Sequence, residues 1–132
     1  MKKISFVAGI LLAVLSSCKS DRERFAEDTT VEVIEVYDFG EVMQGEIVKA
    51  KFEIKNTGDV PLKIFEAKPS CGCTLASFTE EAVEPGKSAF VEAEVDTKGM
   101  YSTISKSITV MANTQPTSIP LQITGKILSK DL

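Results

Sequence analysis

The sequence predicts an all-β fold, an antiparallel β-sandwich of about seven short strands over residues 30–132, and three observations predict it. Apolar residues recur at every second position from Thr30 onward. Turn signals rich in Gly, Pro, Asn and Asp interrupt that alternation at short intervals. Outside an apolar segment at the amino terminus, no stretch of 10 or more residues carries a 3.6-residue period.

Val31 and Val33, then Tyr37 and Phe39, open a first strand pair, which Gly40 is expected to end. In the next run Val48, Ala50, Phe52 and Ile54 alternate with Lys49, Lys51, Glu53 and Lys55, the pattern of a strand with one buried and one wet face. Asn56-Thr57-Gly58-Asp59 reads as a turn, and Leu62 with Ile64 as a short strand before a loop at Pro69. Glu84-Pro85-Gly86-Lys87 is a further turn, followed by Ala89, Val91, Ala93 and Val95 in one phase. Gly99 breaks the chain again. Ile104, Ile108, Val110 and Ala112 then share a phase, residues 113–116 turn, and Ile119, Leu121, Ile123 and Ile127 form the last strand. The simplest sandwich of this kind is immunoglobulin-like, with a closed barrel as the alternative. Without Trp, and without cysteines at the spacing of an inter-sheet disulfide, an aliphatic core must hold it, with Phe39 and Phe52 expected at the centre. Phe90 and Met111 fall out of phase, which places them either under a loop or sheet end or on an exposed partner surface.

Composition narrows the chemistry. The 132 residues leave room for one domain, and the absence of His removes Ser-His-Asp and Cys-His catalysis, His-ligated zinc and His-based pH switching. A net charge of −4 is not the footprint of a nucleic-acid-binding protein. No Gly-rich phosphate loop or Ser-x-x-Lys motif is present, so no catalytic residue and no cofactor are expected.

The amino terminus reads as an address. Lys2 and Lys3 precede an apolar run of 11 residues, Ile4 to Val14, too short for a membrane span of about 20 residues and right for a secretory signal. Leu15-Ser16-Ser17-Cys18 resembles the lipobox of bacterial lipoproteins, which implies cleavage after residue 17 and a lipid on Cys18. Several acyl chains, at about 0.8 kcal/mol per buried methylene, anchor a protein stably where one does not. The mature chain would carry 13 basic and 19 acidic residues, a net charge of −6. Residues 18–29 are charged and aperiodic and read as a tether. Lys19, not Asp, follows the cysteine, so the inner-membrane retention signal of enterobacterial lipoproteins is missing, which in a Gram-negative source favours the outer over the inner membrane as destination.

Cys71-Gly72-Cys73 is the remaining local chemistry. In extended backbone the two Cα atoms stand about 6.5 Å apart, near the upper edge of what a disulfide accepts, and Gly72 can take dihedrals that shorten the distance. A bridge or two packed thiols pinning the loop is the simplest reading in an oxidising compartment. A thiol-redox role competes with it, although no Cys-x-x-Cys or βαβ pattern accompanies the pair. Two thiolates could also hold Cu(I), with Met43, Met100 or Met111 as extra ligands. The fourth reading is attachment or binding of a partner through the loop's shape.

The residues Asp38-Phe39-Gly40-Glu41-Val42 with Gly45, Phe52 to Ile54 with Asn56-Thr57-Gly58, Pro69-Ser70-Cys71-Gly72-Cys73-Thr74, Pro85-Gly86, Thr97-Lys98-Gly99 and Ile108-Thr109-Val110 with Asn113 together resemble the bacterial domain-of-unknown-function family 1573, over roughly residues 36–127. The resemblance implies a secreted or lipid-anchored protein with an immunoglobulin-like sandwich related to major-sperm-protein and Hydin-type domains, and implies no activity. One departure stands out: Met100-Tyr101-Ser102-Thr103 follows Gly99 where a second Gly is expected before the Lys-containing strand.

Glu80, Glu81 and Glu84 read as a solvated loop rather than a cation site or a carboxylate pair, and Lys49, Lys51 and Lys55 as a wet strand face that could also guard an edge. The expectation is therefore a lipid-anchored cell-envelope protein whose non-enzymatic domain binds a protein or envelope partner through loops or an edge strand. The alternatives are a thiol-redox or copper-binding protein using Cys71 and Cys73, and a purely structural envelope component.

Overall fold

A computed structural model describes residues 25–130. The expected signal peptide, the lipidation residue Cys18 and the first part of the tether lie outside the described residues, among which no helix is long and apolar enough to cross a membrane.

The fold is all-β. Eight strands follow one another: β1 (Val31–Val33), β2 (Val36–Met43), β3 (Ile47–Asn56), β4 (Ile64–Pro69), β5 (Thr74–Phe78), β6 (Ser88–Asp96), β7 (Ser102–Ala112) and β8 (Ser118–Leu128). They form two separate four-stranded sheets, in the orders β1-β3-β6-β5 and β2-β8-β7-β4. Two open sheets make this a sandwich and not a closed barrel.

In the first sheet the registers stack inward-facing residues into rows. Val48, Val95 and Thr74 make one row, Ala50, Ala93 and Ala76 the next, and Phe52, Val91 and Phe78 the third. The third row holds two aromatic rings, and Tyr37 from the opposite sheet meets Phe52 edge-on at 6.2 Å. Ile108, Val110, Leu121 and Ile123 face these rows and are fully buried. Burying each such aliphatic side chain contributes about 1.5–3 kcal/mol. Phe52 lies at the centre as expected, at 3% exposure. Phe39, expected beside it, is only partly buried and packs near the rim over Gly125.

Four local expectations are corrected. Gly40 does not end a strand: with φ +72° and its N–H bonded to the Asp38 carboxylate at 2.8 Å, it bulges β2, whose register shifts there. The sheets are not wholly antiparallel, because after β1 the chain crosses at Ile34 and Glu35 to the second sheet, where β2 runs parallel to β8. Thr74–Phe78, unassigned from the sequence, is the edge strand β5. Leu62 stands apart from β4 and is buried through a bridge to Val83.

Two buried asparagines close the end of the sandwich at which β1 enters. Asn56 Nδ2 donates to the carbonyls of Val60 and Val83, while its Oδ1 accepts from the Thr29 hydroxyl at 2.7 Å and from Gly58 N–H at 3.1 Å. Asn113 Nδ2 donates to the carbonyls of Glu27 and Pro61, and its Oδ1 accepts from Lys63 N–H at 2.7 Å. Residues 27–29, read from the sequence as the end of the tether, are thus fastened to the domain, with Thr29 buried.

Lys49 and Lys51 reach from β3 to their β6 neighbours, Glu94 at 3.0 Å and Glu92 at 3.3 Å. These exposed pairs contribute at most about 1 kcal/mol each. Because β1 pairs only with Ile54 to Asn56, no strand among the described residues covers the flank of β3 from Ile47 to Glu53, so Lys49 and Lys51 lie on an edge strand while Lys55 is covered by Glu32 of β1. Phe90 and Met111 both sit on outer sheet faces, half-buried, and Lys51 Nζ lies 4.3 Å above the Phe90 ring.

Candidate functional site

The Cys-Gly-Cys segment occupies the corner at which the chain leaves the second sheet for the first. β4 ends at Pro69, and Ser70 then ties the corner to β7, its N–H donating to Ser107 O at 2.8 Å and its hydroxyl accepting from Ser107 N–H at 3.3 Å. Cys71 and Cys73 are joined as a disulfide with Cα atoms 5.3 Å apart. That is shorter than extended backbone allows, and a turn supplies the difference: Thr74 N–H donates to Cys71 O at 3.3 Å. Gly72 does not use the left-handed region to achieve it, and a Cβ there would meet nothing within 4 Å.

Thr74 begins β5 directly beneath the bridge. Its side chain is 2% exposed, and its hydroxyl stands 3.8 Å from Cys71 Sγ and 3.9 Å from Cys73 Sγ. The two residues flanking the cysteines therefore have separate tasks, Ser70 fastening the corner to β7 and Thr74 sitting under the sulfurs.

On the outer face Ile47, Asp96 and Cys73 form one row, with Asp96 N–H donating to Cys73 O at 3.1 Å, and Lys49, Glu94 and Leu75 form the next. Between these rows and Met100 lies a hollow of about 360 Å³ lined also by Cys73 and Gly72. Its apolar rim is open to water: Ile47 is 58% and Leu75 71% exposed, and Tyr101 on the adjoining turn is 72% exposed. That turn is held by Thr97, buried, whose hydroxyl donates to Glu46 O at 2.6 Å and accepts from Gly45 N–H at 3.0 Å.

The sequence singled out Cys71, Cys73 and Met100, which the fold brings to one end, and Met43 ends β2 at the same end. Met111 pairs with Ser118 at the opposite end and cannot join them. Glu80, Glu81 and Glu84 are exposed, and among the described residues no three His, Cys, Asp or Glu side chains are grouped to hold a metal ion. With its sulfurs bonded to each other, the cysteine pair offers no thiolate to copper; only the reduced pair would. Ile47 and Leu75 were not singled out, and Thr74 and Tyr101 entered only as members of the stretches compared with the family, although the alternation of Thr74, Ala76 and Phe78 carries the signal that would have placed Thr74 inward and Leu75 outward.

A second hollow, about 520 Å³, opens where β1 leaves β3, floored by Tyr37 and Phe52 with Ile34 and Val36 at its rim. Its walls come from the strand crossing itself.

A family model described as a protein of unknown function, DUF1573, matches residues 30–127. No curated protein matches. Among solved structures, a protein of unknown function from Porphyromonas gingivalis W83 is similar at 23% identity with a TM-score of 0.67, covering 76% of this chain and 48% of that one, so this chain spans about half its length. The ASH/PapD-like domain 7 of human CEP192 is similar at 15% identity and TM-score 0.57, over 79% of this chain and 89% of that domain. The Vibrio cholerae VesB protease is similar at 17% identity and TM-score 0.59, over 74% of this chain and 31% of that one. At these identities the likeness is one of fold.

Proposed function

The chain belongs to the DUF1573 family of proteins of unknown function, and from that premise we propose that it is a lipid-anchored cell-envelope protein whose non-enzymatic β-sandwich holds a protein partner at its disulfide-bearing end. The observation that carries this reading is the placement of the two ends. The chain enters the sandwich at Thr29, bonded to Asn56 and Asn113, while Ile47, Leu75 and Tyr101 are exposed around the disulfide at the other end of β3. A strand the length of β3 spans roughly 30 Å. A lipid on Cys18 followed by a short tether would attach the first end to the outer membrane and turn the apolar end away from it. An exposed apolar rim beside an open hollow is the surface a partner would cover.

Two measurements on the full chain test this. Cys18→Ala should move the protein from the membrane fraction to the soluble fraction; retention in membranes would overturn the lipid anchor. A photo-crosslinking side chain at Leu75 should give one discrete adduct in intact cells, lost with Tyr101→Glu, whereas the same probe at Gln122 on the opposite sheet should give none. Equal labelling at both positions would overturn the partner surface.

A further inference from the structure

The structure assigns a second property to the same end, one that goes beyond partner binding: we propose that Cys71–Cys73 is a thiol–disulfide exchange site for a cysteine-bearing peptide, with Thr74 as the positioning residue that stabilises the reduced pair. The argument begins with the Thr74 hydroxyl. A buried hydroxyl needs a hydrogen-bond partner, and among the described residues the only ones this hydroxyl has are the two sulfurs, at 3.8 and 3.9 Å. A disulfide sulfur is a weak acceptor, whereas a thiolate is a charged one, and hydrogen bonds to charged groups are about twice as strong. Thr74 is thus poorly satisfied by the bridge and well satisfied by a thiolate at either sulfur. A buried donor under the sulfurs therefore favours the open, reduced form over the bridge.

Access and cost point the same way. Cys73 lines the open hollow beside Ile47, Leu75 and Met100, where an apolar side chain next to the incoming cysteine would be held. Gly72 leaves the approach bare, since nothing lies within 4 Å of where a Cβ would stand and its backbone does not require glycine. The bridge closes a loop with a single intervening residue, so it constrains little of the unfolded chain and can open with the sandwich intact.

The exchange balances as a transfer of two electrons. The thiolate of one substrate cysteine attacks Cys73 Sγ; the bond to Cys71 breaks as the mixed disulfide forms, and the electron pair leaves on Cys71 Sγ, where the Thr74 hydroxyl donates. The second thiol of the same substrate, deprotonated, then attacks its own sulfur in the mixed disulfide and releases Cys73 as a thiolate. The substrate dithiol is oxidised to a disulfide, the cysteine pair is reduced, and the two substrate protons pass to the released thiolates. One round per chain is stoichiometric and compatible with a non-enzymatic partner.

The test equilibrates the full chain with glutathione redox buffers and with a dithiol peptide carrying Leu beside its first Cys, and counts free thiols by alkylation and intact mass. The folded wild type is expected to open and close reversibly in the glutathione buffers. Thr74→Val should shift the glutathione equilibrium toward the disulfide by roughly tenfold, Thr74→Ser should restore it, and Leu75→Glu should slow the peptide but not dithiothreitol. If Thr74→Val does not fold, the wild-type and Thr74→Ser titrations and the Leu75→Glu comparison still decide. A bridge that opens only when the domain unfolds, or a Thr74→Val chain within twofold of wild type at every pH, would overturn the proposal. Partner adducts at Leu75 that persist in a Cys71→Ser/Cys73→Ser chain would leave the binding reading standing while the exchange fails.

Discussion

The ring of Phe39 fills the space above Gly125: a Cβ at Gly125 would lie 2.4 Å from Phe39 Cε2 and 2.5 Å from its Cδ2 and Cζ. Glycine in β8 is a packing requirement here, since it leaves room for the Phe39 ring near the bulge at Gly40. Gly125→Ala is expected to destabilise the domain by about 1–3 kcal/mol, as overpacking does. Urea denaturation would show a lower midpoint at unchanged slope. Phe39→Leu in the same chain should recover part of the loss, because the two positions share one space.

Asn56 makes four side-chain hydrogen bonds with no water needed, joining Thr29, the turn at Gly58 and the carbonyls of Val60 and Val83. Asn56→Ala leaves those buried groups unpaired and should cost about 2–4 kcal/mol. Thr29→Val should cost about 1 kcal/mol, and its effect should vanish in the Asn56→Ala background. Thermal unfolding of the single and double variants checks both.

Ser102 opens β7 with φ +68°, a left-handed conformation that costs a residue with a Cβ about 1–2 kcal/mol. Family resemblance leads one to expect a second glycine in this stretch, and the backbone keeps the conformation glycine would favour. Ser102→Gly is expected to stabilise the domain by about 0.5–1 kcal/mol after the added flexibility of the unfolded chain is counted. A lower melting temperature would contradict it.

Removing the disulfide should matter little to stability. A loop of three residues gives a chain-entropy contribution of about 1.6 kcal/mol, at the low end for disulfides. Cys71→Ser/Cys73→Ser should therefore fold with β-type far-UV circular dichroism and lose about 1–2 kcal/mol in urea. A loss above about 4 kcal/mol would make the bridge a main support of the fold.

The strands legible from sequence were those with strict alternation of large apolar and charged residues, β3 and β6 above all, because a half-buried sheet face imposes that pattern locally. β5 escaped because its inward residues Thr74 and Ala76 are small and its outward Leu75 is apolar, which blurs the alternation. The parallel pairing of β2 with β8 joins the first and last parts of the chain, and no local pattern encodes it. Asn56 and Asn113 read as turn residues, and only the converging backbone carbonyls reveal them as buried plugs. At the candidate site the cysteines were visible, but Ile47, Met100 and Leu75 come from three separate segments, so their meeting around Cys73 follows from register alone.

The parallel pairing of β2 with β8 also decides how this domain bears a load. Tension between the entering end of β2 and the far end of β8 acts along the two strands in opposite senses, so their backbone hydrogen bonds are sheared together and do not peel one at a time. An antiparallel hairpin pulled from its two free ends would instead unzip from one side. The strand crossing at Ile34 and Glu35, which carries the chain from β1 to β2, thereby gives the domain a mechanically stiff direction along β2 and β8. Force spectroscopy along that axis should show a higher rupture force than pulling across the sheets.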